Sequence, residues 1–391
     1  MHICYVLGTF PTTSETFVSD EIISCVKAGH KVTIARIYQG NAVNHANVEW
    51  IKSNVKIIDI KPPANATDSL KFLISACVIQ KSVNPILSLL THHPRWAMTA
   101  MLPTFKQLGH ENFDHIHAHF ADKQVLFANA LSVLLKVPFS FTMHGYDIRD
   151  LPIGKDNLLR VINAAKCAFT VSAANISALK LIGANTSKFD IIPCGIDTSK
   201  FATPSKPYTE GQLVIACVAR LHPIKNHKTL LQALSMLDNN INFHLKIIGD
   251  GELNEELKSF VKEDLNLRHK VSFLGSLSSE QVLDELLLSH VHVLPSFNEG
   301  MPVANTEAMA SGLICITSQV GGLPEVIQTG RNGFLFNPNK PEELATIIEA
   351  IYLKKVATEN ISNSARSDAL TMFDQQALMT RKIYKLSAGV K

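Results

Sequence analysis

Several things are missing from this 391-residue chain, and each absence removes a class of function. No apolar run approaches the roughly 20 residues that span a bilayer. The apolar stretch from Met1 to Gly8 is short and lacks a basic lead-in, so it reads as a first strand rather than a secretion signal. The seven cysteines are scattered, mostly within apolar runs, and no CxxC pair occurs. They fit reduced, buried thiols of a cytoplasmic protein better than a disulfide framework or a zinc site. A formal charge of +3 argues against broad nucleic-acid binding. There is no P-loop and no Asp-x-Asp pair to hold a metal-bound nucleotide. The nearest approach to a dinucleotide fingerprint, Gly249-Asp-Gly251, has Asn254 where the third glycine belongs. What remains is length and apolar content, 46%, enough for two α/β domains.

Two segments have the continuous apolar character of a buried parallel strand opening a doubly wound sheet, His2–Leu7 and Leu213–Ala219. Further strand candidates alternate with helical patterns after each of them, which implies βαβ units and two Rossmann-like domains. The Pro, Gly, Ser and Thr-rich stretch 196–211 lacks apolar periodicity and reads as a linker. The expected division is 1–195 for the first domain, 212–373 for the second, and helix to the end of the chain.

The most informative stretch runs from Pro295 to Gly312. Gly300 and Pro302 keep the backbone out of helix until about Val303, and Gly312 is placed to end the helix that follows. Glu299 is therefore expected in the loop and Glu307 early in the helix. Backbone N–H groups at the helix start, from Gly300 and Met301 and from Val303 onward past Pro302, suit an anion such as a diphosphate, with a carboxylate on each side for hydroxyls. The plainer reading is that acidic residues favour helix N-termini. Position favours the anion site, since the preceding run His290–Pro295 reads as a short buried strand, and open α/β sheets bind ligands where strands end.

Arg220, Lys225 and Lys228 crowd a second helix start, where positive charge is unfavourable unless an anion is bound, and Asn226 is a plausible cap there. In the first half, His144 and Asp147 follow the strand Phe139–Thr142. His144 could meet a substrate hydroxyl, or simply pack at a turn that Asp147 caps. The run His115-Ile-His-Ala-His119 turns three rings to one side of a strand, but no flanking Cys, Asp or Glu completes a zinc set. His119, nearest the strand end, is a cleft candidate. Ser14, Glu15 and Thr16 join the first strand to its helix, with Ser14 or Thr13 able to cap it.

Together these residues resemble the retaining nucleotide-sugar glycosyltransferases of family 4. The likeness is carried by Ser14-Glu-Thr-Phe17, His117-Ala-His-Phe120, His144-Gly-Tyr-Asp147, Pro193-Cys-Gly-Ile-Asp197, Val218-Ala-Arg220 with Lys225, Gly249-Asp-Gly251, Phe273-Leu-Gly275 and the Glu299 to Glu307 motif. It implies the GT-B fold, two doubly wound domains facing a cleft, with residues 374–391 crossing back to the first. It also implies a UDP- or GDP-sugar donor and no cofactor or metal. Arg220 and Lys225 would bind the diphosphate, near Gly249 and Gly251. Glu307 would take the ribose, and Glu299 with the backbone of Gly300, Met301, Pro302 and Val303 the donor sugar. His144 would stand beside that sugar, with Ser14, Glu15, Thr16, His119 and Asp147 toward the acceptor. Departure of the diphosphate on the face of the incoming hydroxyl lets phosphate take its proton, so no close carboxylate pair is needed.

The Ser-Glu-Thr-Phe signature is similar to that of the colanic-acid and exopolysaccharide branch, which implies a glycan acceptor linked to polyprenyl diphosphate. Thr12-Thr13-Ser14 replaces the glycine pair common in that first loop. Two rival functions are a GT-B-like epimerase or phosphorylase and a non-catalytic sugar-nucleotide binding protein. From Leu70 to Leu108, apolar side chains alternate with Lys71, Lys81, Arg95 and Lys106, and no acidic residue lies between Lys71 and Lys106. Such a surface suits peripheral binding to an anionic membrane, or else it belongs to core helices with solvated faces.

Overall fold

The computed structural model describes residues 1–12, 15–40, 46–60, 107–109 and 111–387. Thr13 and Ser14, and nearly all of the basic apolar segment from Leu70 to Leu108, lie outside the described residues. Two compact units are present, one formed by 1–193 with 375–391 and the other by 194–374.

The first unit is built on a parallel sheet in the order β3-β2-β1-β4-β5-β6-β7. Its strands are β1 His2–Phe10, β2 Lys31–Gln39, β3 Lys56–Asp59, β4 His115–His119, β5 Phe139–Met143, β6 Cys167–Thr170 and β7 Phe189–Ile191. Strand β1 shows why its sequence is apolar throughout. Cys4 and Val6 enter one core with the helix Lys123–Leu135, while Ile3, Tyr5 and Leu7 enter another beneath the helix Thr16–Lys27. Both faces are covered, so alternation disappears. The helix Gln375–Ser387 lies over this second face, burying Met379 and Leu386 beside Val18 and Ile22.

In the second unit the order is β10-β9-β8-β11-β12-β13, again all parallel. Here β8 is Leu213–Val218, β9 Phe243–Ile248, β10 Val271–Gly275, β11 Val291–Leu294, β12 Ile314–Ser318 and β13 Phe334–Phe336. Both sheets reverse direction beside their first strand, at β1 and β4 and at β8 and β11. Loops after those strands therefore open into a crevice within each unit, which is where doubly wound sheets place ligands. Residues 196–211, read from sequence as a linker, carry structure of their own: a short 3-10 helix at Thr198–Phe201, with Ile196, Phe201 and Tyr208 buried in the second unit. Their apolar side chains are too widely spaced for a periodic signal.

Among the described residues, no helix is long and apolar enough to cross a membrane.

Candidate functional site

In the second unit the loops after β8 and β11 are joined by their side chains. Lys225 Nζ donates to Glu299 Oε1 at 2.5 Å, and the same oxygen accepts from Ser296 Oγ at 2.6 Å. Asn226 has the left-handed backbone of the helix N-cap, but its side chain does not cap. It donates to the carbonyls of Pro295 and Pro338 instead, and Phe297 N–H donates to Ile224 O. The cap expected from sequence is thus a stitch between loops. Glycine serves the same end elsewhere. A Cβ on Gly321, at φ +53°, would lie 1.7 Å from the carbonyl oxygen of Glu299, and one on Gly249, at φ +136°, 2.1 Å from that of Ala219. Only glycine permits either approach.

The helix after this loop is Val303–Ala310, and no side chain caps its Pro302 end. Gly300, Met301, Pro302, Val303 and Glu307 are all half-buried, Glu307 one turn into the helix. Gly312, at φ +82°, ends it as expected. Arg220 is exposed on the loop after β8 and belongs to none of the ion pairs of the described residues. Amides, a buried carboxylate and two cations are thus gathered on one edge of one sheet, a setting for a phosphate with a polyhydroxylated group beside it.

The corresponding edge of the first unit holds a buried polar chain. His119 Nδ1 lies 3.0 Å from His144 Nε2, and His119 Nε2 lies 3.2 Å from Glu21 Oε1. The same Glu21 oxygen accepts from Tyr5 Oη at 2.9 Å and from Lys382 Nζ at 2.7 Å. Lys382 also donates to Thr142 Oγ1 at 3.0 Å and stands 5.2 Å from the centre of the Phe169 ring. Burial pushes the Glu21 carboxyl up, but Lys382 and His119 outweigh it and hold the group well below its ordinary value. Burial depresses both His119 and His144; for His144, His119 and Lys382 push in the same direction. Both rings are neutral at physiological pH.

Three sequence expectations are corrected here. Asp147 is fully buried, and its carboxylate accepts from the backbone N–H groups of Ala121, His144 and Gly145. It shapes the turn that presents His144 and is out of an acceptor's reach. His119 is also buried, 1% exposed, with its Nδ1 against the half-buried ring of His144. The N-cap position of the first helix falls at Glu15, before Thr16, rather than at Thr13 or Ser14. Glu15 does line a cavity of about 170 Å³, with Gly8, Thr9, Phe120, Gln124 and Tyr146.

Glu21 and Lys382 were not singled out from sequence, although both carry a signal. The helix Gln375–Ser387 buries positions 375, 379, 382 and 386, a helical stripe on which Lys382 is the one charged residue, and Glu21 falls beside the stripe of Val18, Ile22 and Cys25. A charge on the apolar face of a helix needs a partner, and these two are each other's.

Residues 14–200 match the family profile described as Glycosyltransferase Family 4, and residues 200–368 match Glycosyl transferases group 1. WcaL of Salmonella typhimurium, named for a colanic acid biosynthesis glycosyltransferase, is 24% identical over 97% of both chains. An Escherichia coli UDP-Gal:alpha-D-GlcNAc-diphosphoundecaprenol alpha-1,3-galactosyltransferase is 29% identical over 62% of this chain and 67% of its own. Among solved structures, HepE of Anabaena in complex with UDP shares the fold with a TM-score of 0.75 at 18% identity, covering 99% of this chain and all of that one. Two Rossmann-like units and two adjoining profiles that together run from residue 14 to residue 368 lead to one assignment: the chain belongs to the group 1 glycosyltransferases with the GT-B fold.

Proposed function

We propose that this chain is a retaining hexosyltransferase that moves a sugar from a UDP- or GDP-sugar to a glycan acceptor linked to polyprenyl diphosphate, in the synthesis of an exopolysaccharide. The observation that carries the reading is the Lys225–Glu299 pair set before the uncapped start of the helix Val303–Ala310. Charge that develops on a departing diphosphate is met there by Lys225, Arg220 and helix amides, fixed in place before reaction. Glu299 and the backbone from Gly300 to Val303 hold the donor sugar, and Glu307 holds the ribose. His144 meets the sugar being transferred.

The UDP and UDP-glucose bound in structures of HepE support a uridine nucleotide, and the galactosyltransferase's name supports a lipid-linked acceptor. Retention follows if the acceptor hydroxyl approaches on the face that the diphosphate leaves and gives its proton to the phosphate.

The test is incubation with a panel of UDP- and GDP-sugars and a polyprenyl-diphosphate-linked acceptor, with the anomeric configuration of the product read by NMR. Transfer with the donor's configuration kept is expected. Inversion would overturn the retaining mechanism, and nucleotide binding without any release of nucleotide diphosphate would favour a binding protein. For location we propose peripheral attachment at the cytoplasmic membrane face through the basic segment around Lys71, Lys81 and Arg95. Salt-sensitive sedimentation with anionic vesicles is the expected result. A protein that stays in the supernatant at low salt would remove the proposal.

A further inference from the structure

The fold treats the two ends of the helix Val303–Ala310 differently. Its Pro302 end has no side-chain cap, whereas the carbonyls at and just past its other end are each met by a different group. Ala310 O accepts from Arg366 Nη1, Ser311 O from the backbone N–H of Ser205 at 2.7 Å, and Gly312 O from Ser362 Oγ. Ser362 and Arg366 lie one turn apart on the helix Thr358–Met372, and Ser205 belongs to the stretch that follows the chain's crossing from the first unit.

Arg366 does more than meet one carbonyl. Its Nη2 donates to Phe201 O at 2.5 Å and to Ala202 O at 3.3 Å, so one half-buried guanidinium bridges the end of the helix Val303–Ala310 and the 3-10 helix Thr198–Phe201. Packing around the bridge is close. A Cβ on Gly312 would stand 3.3 Å from Pro204 Cβ and 3.4 Å from Ser362 Oγ, and Ala308, Met309 and Ala310 share a core with Phe201, Ala365 and Ala369. A planar fork holds two acceptors in a fixed relation, which the point charge of an ammonium group does not. It also puts positive charge where the helix dipole is negative.

We propose that Arg366 is a positioning residue for the donor site: by tying the C-terminal end of the helix Val303–Ala310 to Phe201 and Ala202, it sets where the amides at the helix start stand for the nucleotide. The inference rests on the reading that this helix start takes the donor diphosphate. The helix has eight residues and is about 12 Å long, so a tilt at Ala310 is felt in full at Val303. Arg366 acts from the far end of the helix and touches no part of the nucleotide.

Binding of UDP and of GDP to the full chain, measured by titration calorimetry, reads this role without acceptor or turnover. Arg366→Met, checked for folding by circular dichroism, should weaken binding of the nucleotide that the wild type takes by about tenfold, within the range by which residues remote from a ligand alter its affinity. Arg366→Lys keeps the charge but cannot hold both sides of the bridge. It should lie between wild type and Arg366→Met, and it supplies the reading if Arg366→Met does not fold. The control is Arg331→Met. Arg331 pairs with Asp368 on the same helix Thr358–Met372, so its removal costs that helix an ion pair and leaves the bridge from Ala310 to Phe201 in place. Nucleotide affinity should be unchanged in that variant.

Wild-type affinity in a folded Arg366→Met would overturn the proposal. So would an equal loss in Arg331→Met, which would trace the effect to the stability of the helix Thr358–Met372. Lys225→Ala separates these failures from failure of the donor reading. If Lys225→Ala loses affinity and Arg366→Met does not, only the positioning role falls. If both keep wild-type affinity, the diphosphate is held elsewhere and the inference falls with that reading.

Discussion

Lys225 Nζ and Glu299 Oε1 meet at 2.5 Å, so the residue assigned to the diphosphate and the residue assigned to the sugar form one ion pair. Both side chains are largely buried, 18% and 8% exposed. Removing Lys225 leaves Glu299 with Ser296 as its remaining hydrogen-bond partner among those described above, and an uncompensated buried carboxylate is costly. Lys225→Ala should lower kcat/KM by about 2 kcal/mol or more, roughly 30-fold, the scale on which one preorganised charge contact acts. The double variant with Glu299→Gln should be less destabilised than the sum of the single changes, as measured by chemical unfolding. Strict additivity would mean that the pair is not coupled.

Glu307 and Glu299 should separate in kinetics. Glu307 sits on the helix, assigned to the ribose, a part of the donor that does not change during reaction. Glu307→Ala should raise the donor KM with kcat little altered. Glu299→Ala should lower kcat, because the partner proposed for it is the reacting sugar. Equal losses in both parameters for both variants would refute the division of roles.

Activity should survive EDTA. Ligand atoms of Glu21, His117 and His119 all lie within 4.8 Å of one another, close enough to hold an ion. However, the ammonium of Lys382 is already 2.7 Å from the Glu21 oxygen and supplies the positive charge that the carboxylate requires. A dication placed there would be repelled by it. In the proposed reaction, Arg220, Lys225 and the helix amides of the second unit supply the charge that a metal clamp would. Complete loss of transfer on chelation, restored by a divalent ion, would contradict this.

The alternation of apolar runs and helical patterns made both sheets legible from sequence, because strands covered on two faces stay apolar along their whole length. Strand β8 begins where the run Leu213–Ala219 does and stops one residue short of its end, and β11, Val291–Leu294, falls within the run that starts at His290. Strand β13 was not legible, since three residues at a sheet edge have no period. The site followed the same division. Glu299, Glu307, Lys225 and His144 stand beside glycine and proline signals that mark strand-to-helix turns. The pairing of Glu21 with Lys382 joins residues 361 positions apart, and only the folding of the last helix onto the first unit brings them together. Asp147 was misread for a related reason: sequence shows a carboxylate near a turn but not which amides it meets.

Buried histidines should make both units acid-sensitive well above the carboxylate range. Burial, with Lys166 and Lys382 adding to it, holds His115 down at about 3. Burial with Lys225 nearby holds His227 at about 4, and burial holds His292 at about 4. In the unfolded chain each titrates near 6.5. Between that value and the folded one, the unfolded state binds a proton that the folded state does not, so stability rises with pH and falls on acidification. From pH 7 to pH 5 each of these histidines should remove about 2 kcal/mol, or about 4 kcal/mol in the second unit from His227 and His292 together. The check is urea unfolding at pH 7, 6 and 5, fitted as separate transitions because two units need not unfold as one. His227→Phe should flatten the pH slope of the second unit by close to one proton. Stability that stays constant between pH 7 and 5 would mean that these rings take up protons without unfolding, and that the burial of neutral imidazole does not govern the acid response.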